Sequence, residues 1–176
     1  YARIVVDYRQ QKEDPNRVRI TAGGNLIDYP YELTTRTADL TTTKLMWNSV
    51  ISTEGAKYVC APDAKNFYLT APLDRHEYMR MPIDIFPQEF IDQYGLANKV
   101  HNGFVYCAIV RCMYGLPQSG ILANKLLWEC LLKHGYYEMQ HTPGLWKHVS
   151  RPISFTLVVD DFGIKHVGEE HAKHLI

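Results

Sequence analysis

Apolar and polar residues first alternate in short runs along this chain. Residues 1–9, YARIVVDYR, read as a strand, and the polar stretch QQKEDPN turns it into a second strand, VRIT, which ends at Ala22-Gly23-Gly24-Asn25. The period then lengthens. Thr37 is placed to cap a helix that starts at Ala38 with Asp39 in its first turn. Leu45, Met46, Val50 and Ile51 recur on one helical face, and Gly55 stops the helix. The run AKYVCA reads as a short buried strand. Pro87 suits the first turn of a helix over PQEFIDQYG, and Asn102-Gly103 is a hairpin turn leading into the strand FVYCAIV. The clearest helical pattern covers residues 118 to 134, with Ile121, Leu122, Leu126, Leu127, Cys130 and Leu131 in one stripe and Gly135 as its C-terminal cap. ISFTLVV, then Asp160-Asp161, then FGIKHV predict a second hairpin, and Glu169 and Glu170 open a last helix. Strands and helices mix without βαβ regularity, which predicts an α+β fold in two layers.

Composition narrows the class. The chain of 176 residues is the size of one domain that buries a core without disulfide or metal support. Lys+Arg and Asp+Glu are 19 each, so the formal charge is zero. That balance counts against a nucleic-acid binder, whose phosphate affinity comes from Lys and Arg displacing counterions. The objection falls if the basic residues gather on one face and bound metal supplies local positive charge. Cys60, Cys107, Cys112 and Cys130 form no CxxC pair, which predicts buried free thiols in a reducing compartment. No apolar run approaches the roughly 20 residues that cross a bilayer, so no membrane partner is expected. The opening residue is not Met and the last residues continue a helical pattern, which predicts a piece of a longer polyprotein.

Several constellations lead nowhere. His171 and His174 beside Glu169 and Glu170 lack an HExxH pattern and read as a solvated helix end. His134, His141 and His148 recur every seven residues, yet Pro143-Gly144 forbids a helix through them. Trp47, Trp128 and Trp146 read as core. The absence of a GxxxxGK run argues against a P-loop nucleotidase.

Acids at the ends of apolar strands carry the candidate chemistry. Asp63 follows AKYVCAP, and Asp160-Asp161 follow ISFTLVV. A carboxylate against an apolar strand is costly unless it is solvated, paired or bound to metal. In a two-metal phosphoryl-transfer site, acids from adjacent strands clamp two magnesium ions about 4 Å apart, one activating the attacking 3′-hydroxyl and one stabilising the leaving pyrophosphate. Magnesium takes hard oxygen ligands and completes its shell from water and substrate phosphates. The plain alternative is a polar turn, because Asp is a good turn former.

The order and company of these acids resemble a family. Val158-Val159-Asp160-Asp161 resembles the Tyr-x-Asp-Asp hairpin of reverse transcriptases. DAKNFYLTAPL continued by EYMRMP is similar to the first palm motif of LTR-retrotransposon enzymes, MYGLPQSG to their central motif, and RIVVDYRQ to the fingers strand. The four segments stand in the family's order and span nearly the whole chain, while MYGL and HTPGLWKH lean toward copia-type rather than gypsy-type elements.

That resemblance implies the fingers and palm of a right-hand polymerase, an antiparallel palm sheet packed on helices, with fingers at roughly 1–55 and palm at roughly 56–176. The thumb and ribonuclease H region would lie outside the chain. Asp63 and Asp160 match the principal metal ligands and Asp161 the third carboxylate, holding two Mg2+ ions, with Mn2+ as the alternative. Tyr68 matches the steric gate against ribonucleotides, Gln118 the contact to the incoming nucleotide's sugar and triphosphate, and Arg3 the fingers arginine on the triphosphate, a task suited to a planar fork. Ala64 completes the substrate-binding positions. Implied partners are an RNA or DNA template with its primer, deoxynucleoside triphosphates and the rest of the polyprotein; the implied location is intracellular, in a cytoplasmic retroelement particle or the nucleus. Without the resemblance, Tyr68 reads as core beside Phe67 and Arg3 as a solvated terminus. Two departures stand out. Val158 occupies the place of the signature Tyr, and Pro62 precedes Asp63 where a strand would want a free N–H. They keep open a rival, a degenerate, non-catalytic module that binds nucleic acid or protein.

Overall fold

Runs rich in Val, Ile, Tyr and Phe pair into antiparallel sheets, because a lone strand leaves half its backbone groups unbonded. The computed structural model describes residues 1–11, 15–61 and 66–176. Strand β1 (Ala2–Tyr8) pairs with β2 (Asn16–Ala22), and β4 (Pro72–Pro82) with β5 (Phe104–Arg111). A five-stranded sheet takes β3 (Lys57–Ala61), β6 (Tyr136–Glu138), β7 (Leu145–His148), β8 (Ile153–Val158) and β9 (Asp161–His166) in the order β3-β9-β8-β7-β6. The helices are α1 (Leu40–Ile51), α2 (Phe67–Thr70), α3 (Gln88–Tyr94), α4 (Ser119–Lys133) and α5 (Glu169–Leu175). Helices and antiparallel sheets thus share the chain, as an α+β pattern requires. None of these helices is long and apolar enough to cross a membrane. Contacts divide the chain into two units, each built from two segments: Tyr1–Glu32 with Tyr68–Leu122, and Leu33–Phe67 with Ala123–Ile176.

In the first unit, β4 alternates from Glu77 onward. Met79 and Met81 point into a core with Ala22, Ile109 and Leu116, while Tyr78 and Arg80 point out. The expected turn at Asn102-Gly103 is present, with both residues at positive φ (51° and 80°) and paired bonds between His101 and Phe104. Two glycines let the MYGL segment lie against the end of β2. A Cβ on Gly115 would meet the Ala22 carbonyl, and a Cβ on Gly24 would meet the Gly115 carbonyl. The Ala22 N–H donates to the Tyr114 carbonyl at 2.8 Å across this contact.

In the second unit, Ile153, Phe155 and Leu157 of β8 face one way, packing with Trp146 and Ile164 against Leu127 and Leu131 of α4 and Leu175 of α5. Ser154 and Thr156 face the other way, toward α1. There Lys165 Nζ donates to the Ser49 carbonyl and Oγ, both at 3.0 Å, and to Thr53 Oγ1 at 2.7 Å. A cation on the last carbonyls of α1 satisfies backbone acceptors that the helix cannot and complements its dipole. Helices therefore cover both sheet faces, and this unit has three layers where two were expected.

Other expectations need correcting. Asp39, not Thr37, caps α1: its carboxylate accepts the Thr42 N–H at 2.6 Å, which holds its carboxyl below the usual carboxylate range. Of the anticipated apolar face only Met46 is buried, whereas Leu45 and Ile51 (88% exposed) point to solvent. A lysine and two hydroxyls make the α1 contact that periodicity assigned to apolar side chains. Trp47 and Trp128 are exposed, and of the three tryptophans only Trp146 is buried. AKYVCA forms the edge strand β3, half exposed rather than buried. All four cysteines are free, but only Cys112 is buried, and Cys60 and Cys130 are exposed.

Candidate functional site

Backbone geometry concentrates at the acids. The β8–β9 register runs to Val158↔Asp161, so the loop is the two residues Val159 and Asp160. Such a short loop matches the twist of its strands only with positive φ at its first central residue, usually Gly. Here that residue is Val159, at φ 59°. A β-branched side chain in this region is an outlier, with a cost of order 1–3 kcal/mol. Asp160 is half-buried in the turn and Asp161 is exposed at the start of β9. Replacing Val159 with Gly removes the side-chain clash but adds freedom to the unfolded chain, so V159G is expected to stabilise by about 1 kcal/mol. A urea titration reads this directly, and an unchanged or lowered midpoint would show that the turn holds no strain.

The neighbouring edge matters equally. Strand β3 pairs with β9 from Lys57↔His166 to Ala61↔Phe162, so β3 ends beside the first residues of β9. Asp63 and Ala64, with Pro62 and Lys65, lie outside the described residues. Among the described residues no group of three His, Cys, Asp or Glu stands ready for a metal ion. Asp160 and Asp161 supply carboxylate oxygens, the donor type that magnesium prefers, so these two fit as part of a ligand set that water and phosphate oxygens complete.

The remaining sequence candidates belong to the first unit. Tyr68, in α2, meets Tyr114 edge-on at 5.1 Å between ring centroids, and the Arg19 guanidinium lies 4.7 Å from the centre of the Tyr114 ring. Arg3 sits within β1, exposed, with its carbonyl accepting the Thr21 hydroxyl at 3.2 Å. The register Arg3↔Thr21, Val5↔Arg19, Asp7↔Arg17 puts Arg3, Arg17 and Arg19 on one face of the β1–β2 ribbon. The acid of that face, Asp7, is already paired with Arg9 at 2.8 Å, and that bond lowers its pKa. Arg19 and Tyr114 were not singled out from the sequence. The alternation of NRVRIT places Arg17 and Arg19 on one side, but the stacking on Tyr114 is a long-range contact that no local pattern encodes.

Gln118 precedes α4 and is fully buried, 0% exposed. Its Nε2 donates to Glu77 Oε1 at 3.1 Å, and that same oxygen accepts Arg75 Nε at 2.8 Å. Among the described residues the Gln118 Oε1 has no hydrogen-bond partner. Exchanging the amide's N and O would set oxygen against the Glu77 carboxylate, so the orientation stands. Its amide is committed to Glu77 in this arrangement. No family model matches the chain, and no curated protein or solved structure matches it.

Proposed function

We propose that this chain is the fingers-and-palm region of a copia-like reverse transcriptase and serves template-directed DNA synthesis by two-metal nucleotidyl transfer. The observation that supports this most is the β3–β9–β8 register. The strand that leads toward Asp63 ends at Ala61, opposite Phe162, next to the hairpin that bears Asp160 and Asp161. The end of β3 and the start of β9 are therefore hydrogen-bonded neighbours, and carboxylates carried beside such ends can share metal ions. A polar turn alone asks for no valine at positive φ; local strain of this kind gathers at functional sites.

In this reading fingers run over roughly 1–55 and palm over roughly 56–176. Asp63, Asp160 and Asp161 hold the ions, and two bound magnesium ions would supply activation of the primer hydroxyl and charge neutralisation of the pyrophosphate. Tyr68 crowds the sugar 2′ position, and Arg3, Ala64 and Gln118 bind the nucleotide. The protein works as part of a polyprotein in a cytoplasmic particle or the nucleus.

The test is extension of a labelled primer on an RNA or DNA template by this chain joined to its downstream thumb region. Extension with magnesium, lost in EDTA, is expected, and residues 1–176 alone should extend little, because neutral charge leaves few phosphate contacts. Failure of the extended chain to incorporate any nucleotide would overturn the reading. The committed amide of Gln118 and Val158 in place of the signature Tyr favour the rival, a non-catalytic module, which would bind primer–template without extending it.

A further inference from the structure

On the α1 side of the five-stranded sheet two cavities adjoin, of about 440 and about 250 Å³, both lined by Lys147, Ser154 and Lys165. The registers Lys147↔Ser154 and Ser154↔Lys165 set these three in one row across β7, β8 and β9. Two strand spacings separate the lysine backbones, about 10 Å. Arg151 and Thr53 add to the smaller cavity, and no Asp or Glu lines either one. In a chain with 19 basic and 19 acidic residues, three permanent cations without a lining carboxylate make a local excess of positive charge.

The three cations differ in freedom. Lys165 spends its ammonium donors on Ser49 and Thr53, which fixes its charge in place. Arg151 spends Nη1 on His171 Nδ1 at 3.3 Å. Lys147 is exposed, and its ammonium has no hydrogen bond or ion pair among the described residues. Along the same wall His148 Nδ1 accepts the Ser150 and Arg151 N–H groups, both at 3.1 Å, and its Nε2 lies 3.1 Å from the His134 carbonyl. A fixed cation, a second half-buried cation, a free ammonium and hydroxyl donors form a set that recognises phosphate oxygens.

The geometry points to a phosphate-binding groove for the backbone of a nucleic-acid strand. Two adjoining cavities hold more than one phosphate group, which favours a strand over a lone phosphate. Parity along β9 puts Lys165 on the same face as Asp161, four residues and about 13 Å away, so this is a separate place on the sheet that works without metal.

Anisotropy of a labelled single-stranded oligonucleotide, measured on the full chain at low salt in EDTA, tests it. EDTA silences any metal-dependent binding at Asp160 and Asp161, so this result and the primer-extension result can fail independently. Lys147→Gln is expected to weaken binding about fivefold and to reduce the log–log salt slope by about 0.7, one contact to a single strand. Lys125→Gln, an exposed α4 lysine, should change nothing. Equal affinity for the two variants, with the parent's salt slope, overturns the groove. Pyrophosphate titrated against the same variants separates the sources. Pyrophosphate binding that K147Q weakens, without oligonucleotide binding, keeps the phosphate site and assigns it to small phosphate esters.

Discussion

Gly115→Ala is expected to lower the unfolding free energy by about 3 kcal/mol. Gly115 sits at φ 94°, where an L side chain is strained by about 1–2 kcal/mol. Its Cβ would also meet the Ala22 carbonyl, a backbone group that cannot swing aside. Overpacking of this kind costs about 1–3 kcal/mol. Separation of the segments is no escape, because the Ala22 N–H to Tyr114 carbonyl bond would be lost and Gly24 closes the other side. A loss of this size is a large part of the 5–15 kcal/mol that domains have. It should appear as a lower urea midpoint at unchanged slope. A midpoint equal to that of the parent would mean that Gly115 does not lie against Ala22 in solution.

The second large effect belongs to the other unit. Phe155 is fully buried (0% exposed), stacked on Trp146 at 6.0 Å and 2°, with Tyr136 and Phe162 at 5.6 and 5.4 Å. Phe155→Ala should cost about 3–5 kcal/mol, since rings held on several sides cannot collapse into the cavity. Phe155→Leu keeps most of the volume and should cost about 1.5 kcal/mol. Amide exchange should show the loss in β7, β8 and β9, while β4 and β5 keep their protection, since their core of Met79, Met81 and Ile109 contains no part of this cluster. A cost below about 1 kcal/mol for the alanine variant would contradict the stacking.

What the sequence made legible was local. The stripe from Ile121 to Leu131 and Gly135 behind it marked α4 within a residue at each end, and Asn102-Gly103 marked a turn, because periodicity and turn chemistry act over a few residues. The Asp160-Asp161 hairpin was legible for the same reason. Strands β6 and β7, of three and four residues, carry too little pattern to stand out, and only pairing, β6 with β7 and β7 with β8, makes them strands. The face of α1 was misread because Lys165, more than a hundred residues away, supplies the partner that makes Ser49 and Thr53 the buried side. Likewise Arg19 on Tyr114 and Gln118 on Glu77 join residues that no short window contains together. Of the candidate acids, the sequence located the pair at the hairpin tip; that β3 ends beside it depends on sheet order, which alternation along one strand cannot specify.

The interleaving of the two units bears on the moment of synthesis. Residues 1–32 find their partner segment only once residues 68–122 exist, and residues 33–67 wait for 123–176. At the ribosome's pace of about 5–20 residues per second, the first segment stays without most of its core for several seconds after it emerges. Throughout that wait the β1–β2 ribbon can form from neighbouring residues alone, yet it carries Ile4, Val6, Tyr8, Val18 and Ile20 on a face that remains exposed even in the finished chain. The nascent chain therefore presents a sticky hairpin to its surroundings before the rest of its unit has been made. Neither unit can be made by translating one uninterrupted stretch of its own residues.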